Sequence, residues 1–178
     1  MNEVKIHGDL RRGDETCAPG HVYWLDVKRN SGVTDTLLVL SPDDSLPTGS
    51  VHIRGYLKAE YICNMGVPVF IVPVEVTEGI SDGVSETVIT GTLKNAPKCK
   101  ETRVQNKILA KFMLITENGP VPVLAWNRVA KKAEETMKPG DNVKVVGRMQ
   151  GREYPDKNGE WHRTYELSAR TADVVKTK

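Results

Sequence analysis

The stretch Ile89-Thr90-Gly91-Thr92-Leu93 repeats a pattern found earlier in the chain, at Ile6-His7-Gly8-Asp9-Leu10. A second pair of matching stretches follows in the same order, Val51-His52-Ile53-Arg54-Gly55 and Val143-Lys144-Val145-Val146-Gly147. Each stretch alternates apolar and polar residues, which is typical of a β-strand with one buried face. Two matches in the same order predict that the chain contains two copies of one β fold.

The same alternation, interrupted by turn residues, predicts five strands in each copy. They are 4–10, 22–29, 34–41, 51–59 and 67–76 in the first copy and 87–94, 108–116, 121–126, 142–152 and 162–171 in the second. Between its third and fourth strands the second copy has helical spacing over 128–137, closed by Pro139-Gly140. This order is that of the OB-fold, a small Greek-key barrel. The predicted fold class is therefore all-β, with two tandem OB-fold barrels of five strands each and a helix between strands 3 and 4 of the second. A five-stranded sandwich or an SH3-like barrel fits the same pattern.

The two copies differ in charge. Residues 1–85 carry 7 Lys and Arg against 12 Asp and Glu, whereas residues 86–178 carry 18 against 11. Such asymmetry indicates that the second half meets a polyanion, although scattered solvated charges would give the same totals. Because a polar, glycine-containing stretch begins at residue 77, we expect domains at 1–77 and 87–173, a linker at 78–86 and a short basic tail at 174–178.

The composition of the 178 residues argues against several protein classes. With 39% hydrophobic and 27% charged residues, the chain resembles neither a disordered nor a membrane protein. No apolar run approaches the roughly 18 residues that cross a bilayer, and no apolar signal core follows Met1. We therefore expect no membrane partner and a cytoplasmic location.

Motifs for catalysis or metal binding are lacking in the sequence. The three cysteines form no CxxC pair and the four histidines have no metal-ligand spacing, so no disulfide framework, metal or cofactor is expected. There is no phosphate-binding glycine loop, nucleophile elbow or HExxH motif. The chain is therefore predicted not to be an enzyme.

Basic and aromatic residues share the predicted outer faces of the second copy. Along strand 142–152 the residues of one parity suit a barrel interior, and the other face carries Lys144, Val146, Arg148, Gln150 and Arg152, followed at the same parity by Tyr154. Leu124 and Trp126 are expected to point outward from strand 121–126, as are Lys107, Lys111 and Met113 beside them. Aromatic rings for base stacking and cations for phosphates are what single-stranded nucleic acid requires. Trp126 could instead cover the barrel end under the helix, and Tyr154 could be a solvated hairpin residue.

Four segments of the second copy carry a family resemblance: Val88–Pro97, Pro122–Glu134, Lys138–Arg148 and Arg152–Gly159, the last followed by Tyr165-Glu166. They resemble the bacterial single-stranded DNA-binding protein family over most of residues 87–172, and the whole chain is similar to its tandem-OB members. The resemblance implies a non-enzymatic protein that coats single-stranded DNA in replication, recombination or repair, in association with the nucleoid. It also implies that Trp126 stacks on bases, that Tyr154 occupies an aromatic position at the hairpin base, and that Arg152 occupies a basic one.

Three departures from the family pattern modify this expectation. Pro120 stands where the family often has another stacking tryptophan, and no aromatic residue follows strand 108–116, so we expect fewer stacking platforms and weaker or more charge-dependent binding. The sequence closes with Asp173-Val-Val-Lys-Thr-Lys178, without the glycine-rich linker and acidic tail through which the family recruits enzymes. We therefore expect no recruitment of repair enzymes through such a tail.

The first copy repeats the basic and aromatic theme in a weaker form. Arg54 and Tyr56 lie on the predicted outer face of its fourth strand and are further candidates for nucleic-acid binding. Trp24 is expected to point outward between the core residues Tyr23 and Leu25. It is a candidate for a protein interface, a DNA contact or an incidental surface position.

A single OB barrel covers only about 4 to 16 nucleotides. The resemblance implies four OB domains per particle, so we expect a homodimer that displays four barrels. Two alternatives remain open from the residues alone: an RNA-binding or primosome-type OB protein, and a structural assembly module.

Overall fold

The computed structural model describes residues 1–17, 20–79, 85–103 and 106–176. Within them it is mainly β-sheet with one short helix, which confirms the predicted fold class at this level. The elements are β1 Asn2–Cys17, β2 Gly20–Lys28, β3 Thr34–Ser41, β4 Gly49–Ala59, β5 Val69–Glu78, β6 Glu86–Leu93, β7 Cys99–Glu101, β8 Ile108–Thr116, β9 Gly119–Trp126, α1 Asn127–Thr136, β10 Asn142–Pro155 and β11 Trp161–Val174. Each predicted strand has a counterpart, and β7 is an additional short strand. Residues 80–84 of the predicted linker lie outside the described part of the chain.

The chain divides into two compact units. The N-terminal unit comprises Glu3–Ser85 and Gln150–Tyr165, and the C-terminal unit comprises Met1–Asn2, Glu86–Met149 and Glu166–Lys178. The segment Gln150–Tyr165, made of the end of β10, its turn and the start of β11, is called the hairpin below. It belongs to the N-terminal unit although it lies late in the sequence.

The strands of the N-terminal unit pair in a closed order. β1 pairs with β4, β4 with β5, β3 with β2, and β2 with β1, all antiparallel. β3 and β5 pair in parallel, with Val39 opposite Ile71. The pairing thus returns to its starting strand.

The C-terminal unit has the same order of strands. β6, β10, β11, β9 and β8 are neighbours in that sequence, and β8 also pairs with β6. β9 and β11 form the parallel pair here, with Leu167 opposite Val123. The short β7 pairs with β8, beyond this ring. The internal repeat of the sequence therefore corresponds to a repeat of strand order.

Alternation along the strands places the apolar residues in the core of each unit. Val143, Val145 and Met149 of β10 are buried, as the pattern predicts. Two residues predicted on outer faces are covered rather than exposed: Leu124 is only 3% exposed and Gln150 only 9%. Both sheet faces are buried at these positions, which period-2 alternation of a single strand does not reveal.

Close backbone approach explains the glycines of the repeat. A Cβ atom on Gly55 would lie 2.1 Å from the Val72 carbonyl oxygen, and one on Gly147 would lie 2.1 Å from that of Ser168. In each unit, therefore, the fourth strand has no room for a side chain where it meets the fifth. The matching glycines are needed for strand packing.

The helix α1 spans the place predicted for it. Ala130 and Ala133 are its buried residues, and the Met137 N–H donates to the Ala133 carbonyl at its end. Gly140, with φ of 92°, forms part of the turn that follows. Among the described residues, no helix has the length and hydropathy of a membrane span.

Candidate nucleic-acid interface

Two predicted site residues of the C-terminal unit, Lys111 and Trp126, lie on one face of the β8–β9 pair. Trp126 ends β9 and pairs with Leu109 of β8. Lys111 is two positions beyond Leu109, so its side chain leaves the same face as a diagonal neighbour of Trp126. Lys107 directly precedes β8, and both lysines are exposed. One exposed cation thus lies on the face of Trp126, and a second lies at the start of the same strand.

Trp126 is half-buried where β9 meets α1. The Ile108 N–H donates to Oδ1 of Asn127 over 3.0 Å, which links the start of β8 to the start of the helix. Leu124, two residues earlier on the same side of β9, is buried. The accessible part of this face therefore lies at its Trp126 end.

Basic residues between β6 and β8 were missed as site candidates from the sequence. Lys94, Lys98, Lys100 and Arg103 are all exposed. The segment is attached to α1, because the Cys99 N–H donates to Glu134 over 2.9 Å, which lowers the pKa of that carboxyl. OB-folds bind nucleic acids with the face of strands 2 and 3 and with the loops between strands 1 and 2 and between strands 4 and 5. Five basic residues within 94–107 were the signal that could have identified this loop.

The outer side of β10 carries Lys144 and Arg148. Lys144 is exposed, whereas Arg148 is half-buried. Gln150, predicted on the same side, is buried, so the polar outer face is interrupted before Arg152.

Arg152 and Tyr154 lie on the hairpin and are both exposed. The Arg152 guanidinium carbon stands 5.9 Å from the centre of the Tyr154 ring, within range of a cation–π interaction. The ring of His162 lies 5.7 Å from that of Tyr154, tilted by 33°. The hairpin therefore presents a tyrosine next to a cation, and Tyr154 remains 42% exposed.

Asp156 organises the hairpin turn. Its Oδ1 accepts hydrogen bonds from the N–H groups of Asn158 and Glu160, and its Oδ2 lies 2.8 Å from Nε2 of His162. The hydrogen bond with His162, followed by those with the backbone, lowers the pKa of Asp156. Asp156, Glu160 and His162 have possible metal-ligand atoms within 4.8 Å of one another. The hydrogen bonds of Asp156 explain why these residues lie together in the turn.

The two candidates of the first copy lie on β4. Arg54 is exposed and forms an ion pair with Glu75 over 3.2 Å, while Tyr56 is half-buried. The ion pair offsets the charge that Arg54 would offer to a phosphate.

Trp24 is half-buried and packs within the N-terminal unit. The guanidinium carbon of Arg163, from the hairpin, lies 5.1 Å from the centre of the Trp24 ring. Arg163 is held in turn by Glu153, to which its Nε donates over 3.0 Å. Trp24 thus makes an intrachain contact, which was not among the three alternatives considered from the sequence: a protein interface, a DNA contact and an incidental surface position.

The comparisons with known proteins agree with this architecture. Residues 84–175 match the Single-strand binding protein family. The wild-type single-stranded DNA binding protein from Thermus aquaticus superposes with a TM-score of 0.72 at 19% sequence identity, covering 100% of this chain and 94% of that chain. A deletion mutant of the Thermus aquaticus protein gives a TM-score of 0.71 at 20% identity, covering 100% and 96%. At this identity the likeness concerns the fold. No curated protein matches the chain in sequence.

Proposed function

The chain belongs to the single-strand binding protein family and is a non-enzymatic single-stranded DNA-binding protein, and on this premise we propose that Lys107, Lys111 and Trp126 form the centre of its DNA site. The observation that carries the proposal is the common face of Lys111 and Trp126 on the β8–β9 pair, with the exposed Lys107 directly before β8. In this site an unpaired base stacks on the open part of the Trp126 ring. The two lysines neutralise the phosphates on either side of that base.

The basic loop before β8 extends the site. Lys94, Lys98, Lys100 and Arg103 are exposed cations on the segment that corresponds to an OB ligand loop. They are suited to phosphates rather than to base edges, because a flexible surface cation binds the backbone without regard to sequence. Lys144 and Arg148 of β10 are assigned the same role at the periphery.

Arg152 and Tyr154 form a second stacking element on the hairpin. The adjacent guanidinium and the 42% exposed ring supply a phosphate contact and a base platform side by side. Tyr56 and Arg54 make at most a minor contribution, because Tyr56 is half-buried and Arg54 is already paired with Glu75.

Each closed ring of strand pairs is, in this proposal, one five-stranded OB barrel, so that the chain carries two barrels in tandem. The support is the identical strand order of the two units and the single parallel pair in each. A homodimer then displays four barrels, in keeping with the two-fold symmetry of most oligomers. Coating of DNA strands in replication, recombination or repair, in the cytoplasm at the nucleoid, is the cellular role that fits this chemistry.

The test is the affinity of Trp126→Ala for a single-stranded oligonucleotide. Loss of one stacked base costs about 1 to 3 kcal/mol, so affinity should fall roughly 5- to 150-fold in a protein that remains folded. The double variant Lys107→Ala/Lys111→Ala should flatten the dependence of log affinity on log salt by about 0.7 for each lost phosphate contact.

The matched control is Lys5→Ala. Lys5 is an exposed lysine of β1 that pairs with Glu3 over 3.1 Å and lies outside every assigned site. Its removal should leave the salt slope unchanged. Wild-type affinity in folded Trp126→Ala, or a slope equal to the control in the double lysine variant, would remove the corresponding residues from the DNA site.

A further inference from the structure

A cleft of about 390 Å³ lies within the N-terminal unit. This volume is in the range of pockets that hold small organic ligands. The segment Glu3–Ser85 of this unit contributes Glu15 of β1, Trp24 of β2 and, between β4 and β5, Asn64, Met65 and Pro68. The hairpin contributes Glu153, Trp161, His162, Arg163 and Tyr165.

The position of the cleft is the one at which OB-folds bind their ligands. Trp24 lies on the second strand of the N-terminal unit, Glu15 lies near the end of its first strand, and Asn64 and Met65 lie between its fourth and fifth strands. Strands 2 and 3 and the loops 1–2 and 4–5 form the nucleic-acid face of this fold. The hairpin adds a second wall to that face.

The walls of the cleft are held by direct contacts. Arg163 lies over the Trp24 ring and is bound by Glu153. Tyr165 is buried, and this burial raises the pKa of its hydroxyl. A Cβ atom on Gly151 would stand 2.6 Å from the Thr36 carbonyl oxygen, so the base of the hairpin packs directly on β3. The cleft is therefore formed before a ligand arrives.

Trp161 differs from the other tryptophan of the cleft. Arg163 occupies a face of Trp24, whereas Trp161 is 71% exposed. An indole left in water at the rim of a cleft offers a flat surface on which any base can stack. Its position on the turn side of the hairpin gives the stacking partner access from solvent.

The charges of the cleft distinguish a base from a phosphate. Glu15 and Glu153 disfavour a phosphate inside, and Arg163 is already engaged by Glu153. Carboxylate oxygens accept hydrogen bonds from exocyclic amino groups, such as N4 of cytosine. Thymine has no amino group, and its only ring N–H donor lies between two carbonyl oxygens that repel a carboxylate, so the cleft should prefer the other bases.

We propose that this cleft binds one unpaired nucleobase of single-stranded DNA. The base stacks on Trp161, and its amino group donates a hydrogen bond to the Glu15 carboxylate. The inference rests on the proposed function, and it adds a base site on the N-terminal unit that is independent of Trp126. The phosphates of that nucleotide remain outside the cleft.

The experiment compares Trp161→Ala with Val74→Ala for binding to an oligodeoxycytidine of about 30 nucleotides, a length that two OB-folds can cover. Val74 is the control because it is also exposed, at 67%, lies on β5 and is not part of the cleft. Trp161→Ala should weaken binding about 10-fold and the control should not, while both proteins keep the wild-type unfolding temperature. Trp161→Phe should retain most of the affinity. Equal affinities of folded Trp161→Ala and the control would overturn the proposal.

A spectroscopic readout identifies the direct contact. In the double variant Trp24→Phe/Trp126→Phe the only tryptophan is Trp161. Stacking of a cytosine on its indole should quench the tryptophan fluorescence when the oligonucleotide is added. Unchanged emission at saturation would contradict stacking. Glu15→Gln should lower the ratio of oligodeoxycytidine to oligodeoxythymidine affinity at least about threefold, because a charged acceptor is lost. An unchanged ratio would remove Glu15 from the site.

Failure of this inference and failure of the proposed function give different results. If Trp126→Ala loses affinity and Trp161→Ala does not, the cleft is refuted and the site on the C-terminal unit stands. If Trp161→Ala loses affinity and Trp126→Ala does not, the cleft stands and the proposed centre on β8 and β9 is wrong.

Discussion

Gly147→Ala tests whether close strand packing is the reason for the repeated glycines. The added methyl group would stand 2.1 Å from the Ser168 carbonyl oxygen and 2.9 Å from its carbon, both backbone atoms that cannot rotate away. β10 and β11 would have to part by about 1 Å, and such overpacking costs about 1 to 3 kcal/mol. Distortion of one or two ladder hydrogen bonds adds about 1 kcal/mol. We expect a loss of about 2 to 4 kcal/mol, a large share of the 5 to 15 kcal/mol that stabilises a typical protein.

The assay is urea unfolding with linear extrapolation, in which the midpoint should fall without a change in slope. Gly55→Ala should behave in the same way, because its methyl group would also meet a carbonyl oxygen at 2.1 Å. Gly159→Ala is the control: this glycine has φ of 81° and open space around it, so only backbone strain of about 1 to 2 kcal/mol is expected. A Gly147→Ala protein within about 0.5 kcal/mol of wild type, the range of ordinary surface substitutions, would refute the packing argument.

Two further predictions concern polar contacts. Arg29→Ala removes the bidentate partner of Asp35, which is 2% exposed and accepts two hydrogen bonds of 2.5 Å from Arg29. Because Arg29 is itself 26% exposed, we expect the free energy of unfolding to fall by about 2 to 3 kcal/mol, less than the 3 to 5 kcal/mol typical of a fully buried pair. The double variant Arg29→Ala/Asp35→Asn should recover part of this loss. Urea unfolding of both variants measures the two changes, and a wild-type stability of Arg29→Ala would contradict the prediction. The lowered pKa of Asp156 means that its contribution to the hairpin is complete above about pH 3.9, the ordinary aspartate value, and is lost as the pH falls through the lower folded-state pKa. The amide NMR signals of Asn158 and Glu160 should report this transition and Asp156→Asn should abolish it; a midpoint above about pH 3.9 would show that the carboxylate is not stabilised in the fold.

The sequence could predict the part of the proposed DNA face that depends only on alternation within neighbouring strands. Alternation along β8 and β9 is enough to put Lys111 and Trp126 on one face, because antiparallel neighbours across a short turn are constrained by the pleat. The basic segment before β8 could have been identified by counting the basic residues within 94–107, but the alternation of the strands gives no reason to make that count. Trp161, which is proposed as the base platform of the cleft, begins β11 directly after the hairpin turn and outside the strand predicted at 162–171, so alternation gave no reason to select it.

The sequence by itself determined the two copies, the order and approximate bounds of their main strands, the helix α1 and the charge difference between the halves. These depend on periodicity, turn residues and composition, which are local properties. Only the tertiary structure decided that Leu124 and Gln150 are buried, that Cys99–Glu101 pairs as a strand, and that the hairpin joins the N-terminal unit with Arg163 over Trp24. Alternation shows that a residue lies on a given face of a strand, but whether that face is covered depends on chain segments distant in sequence, and so do the contacts that form the cleft beside Trp161.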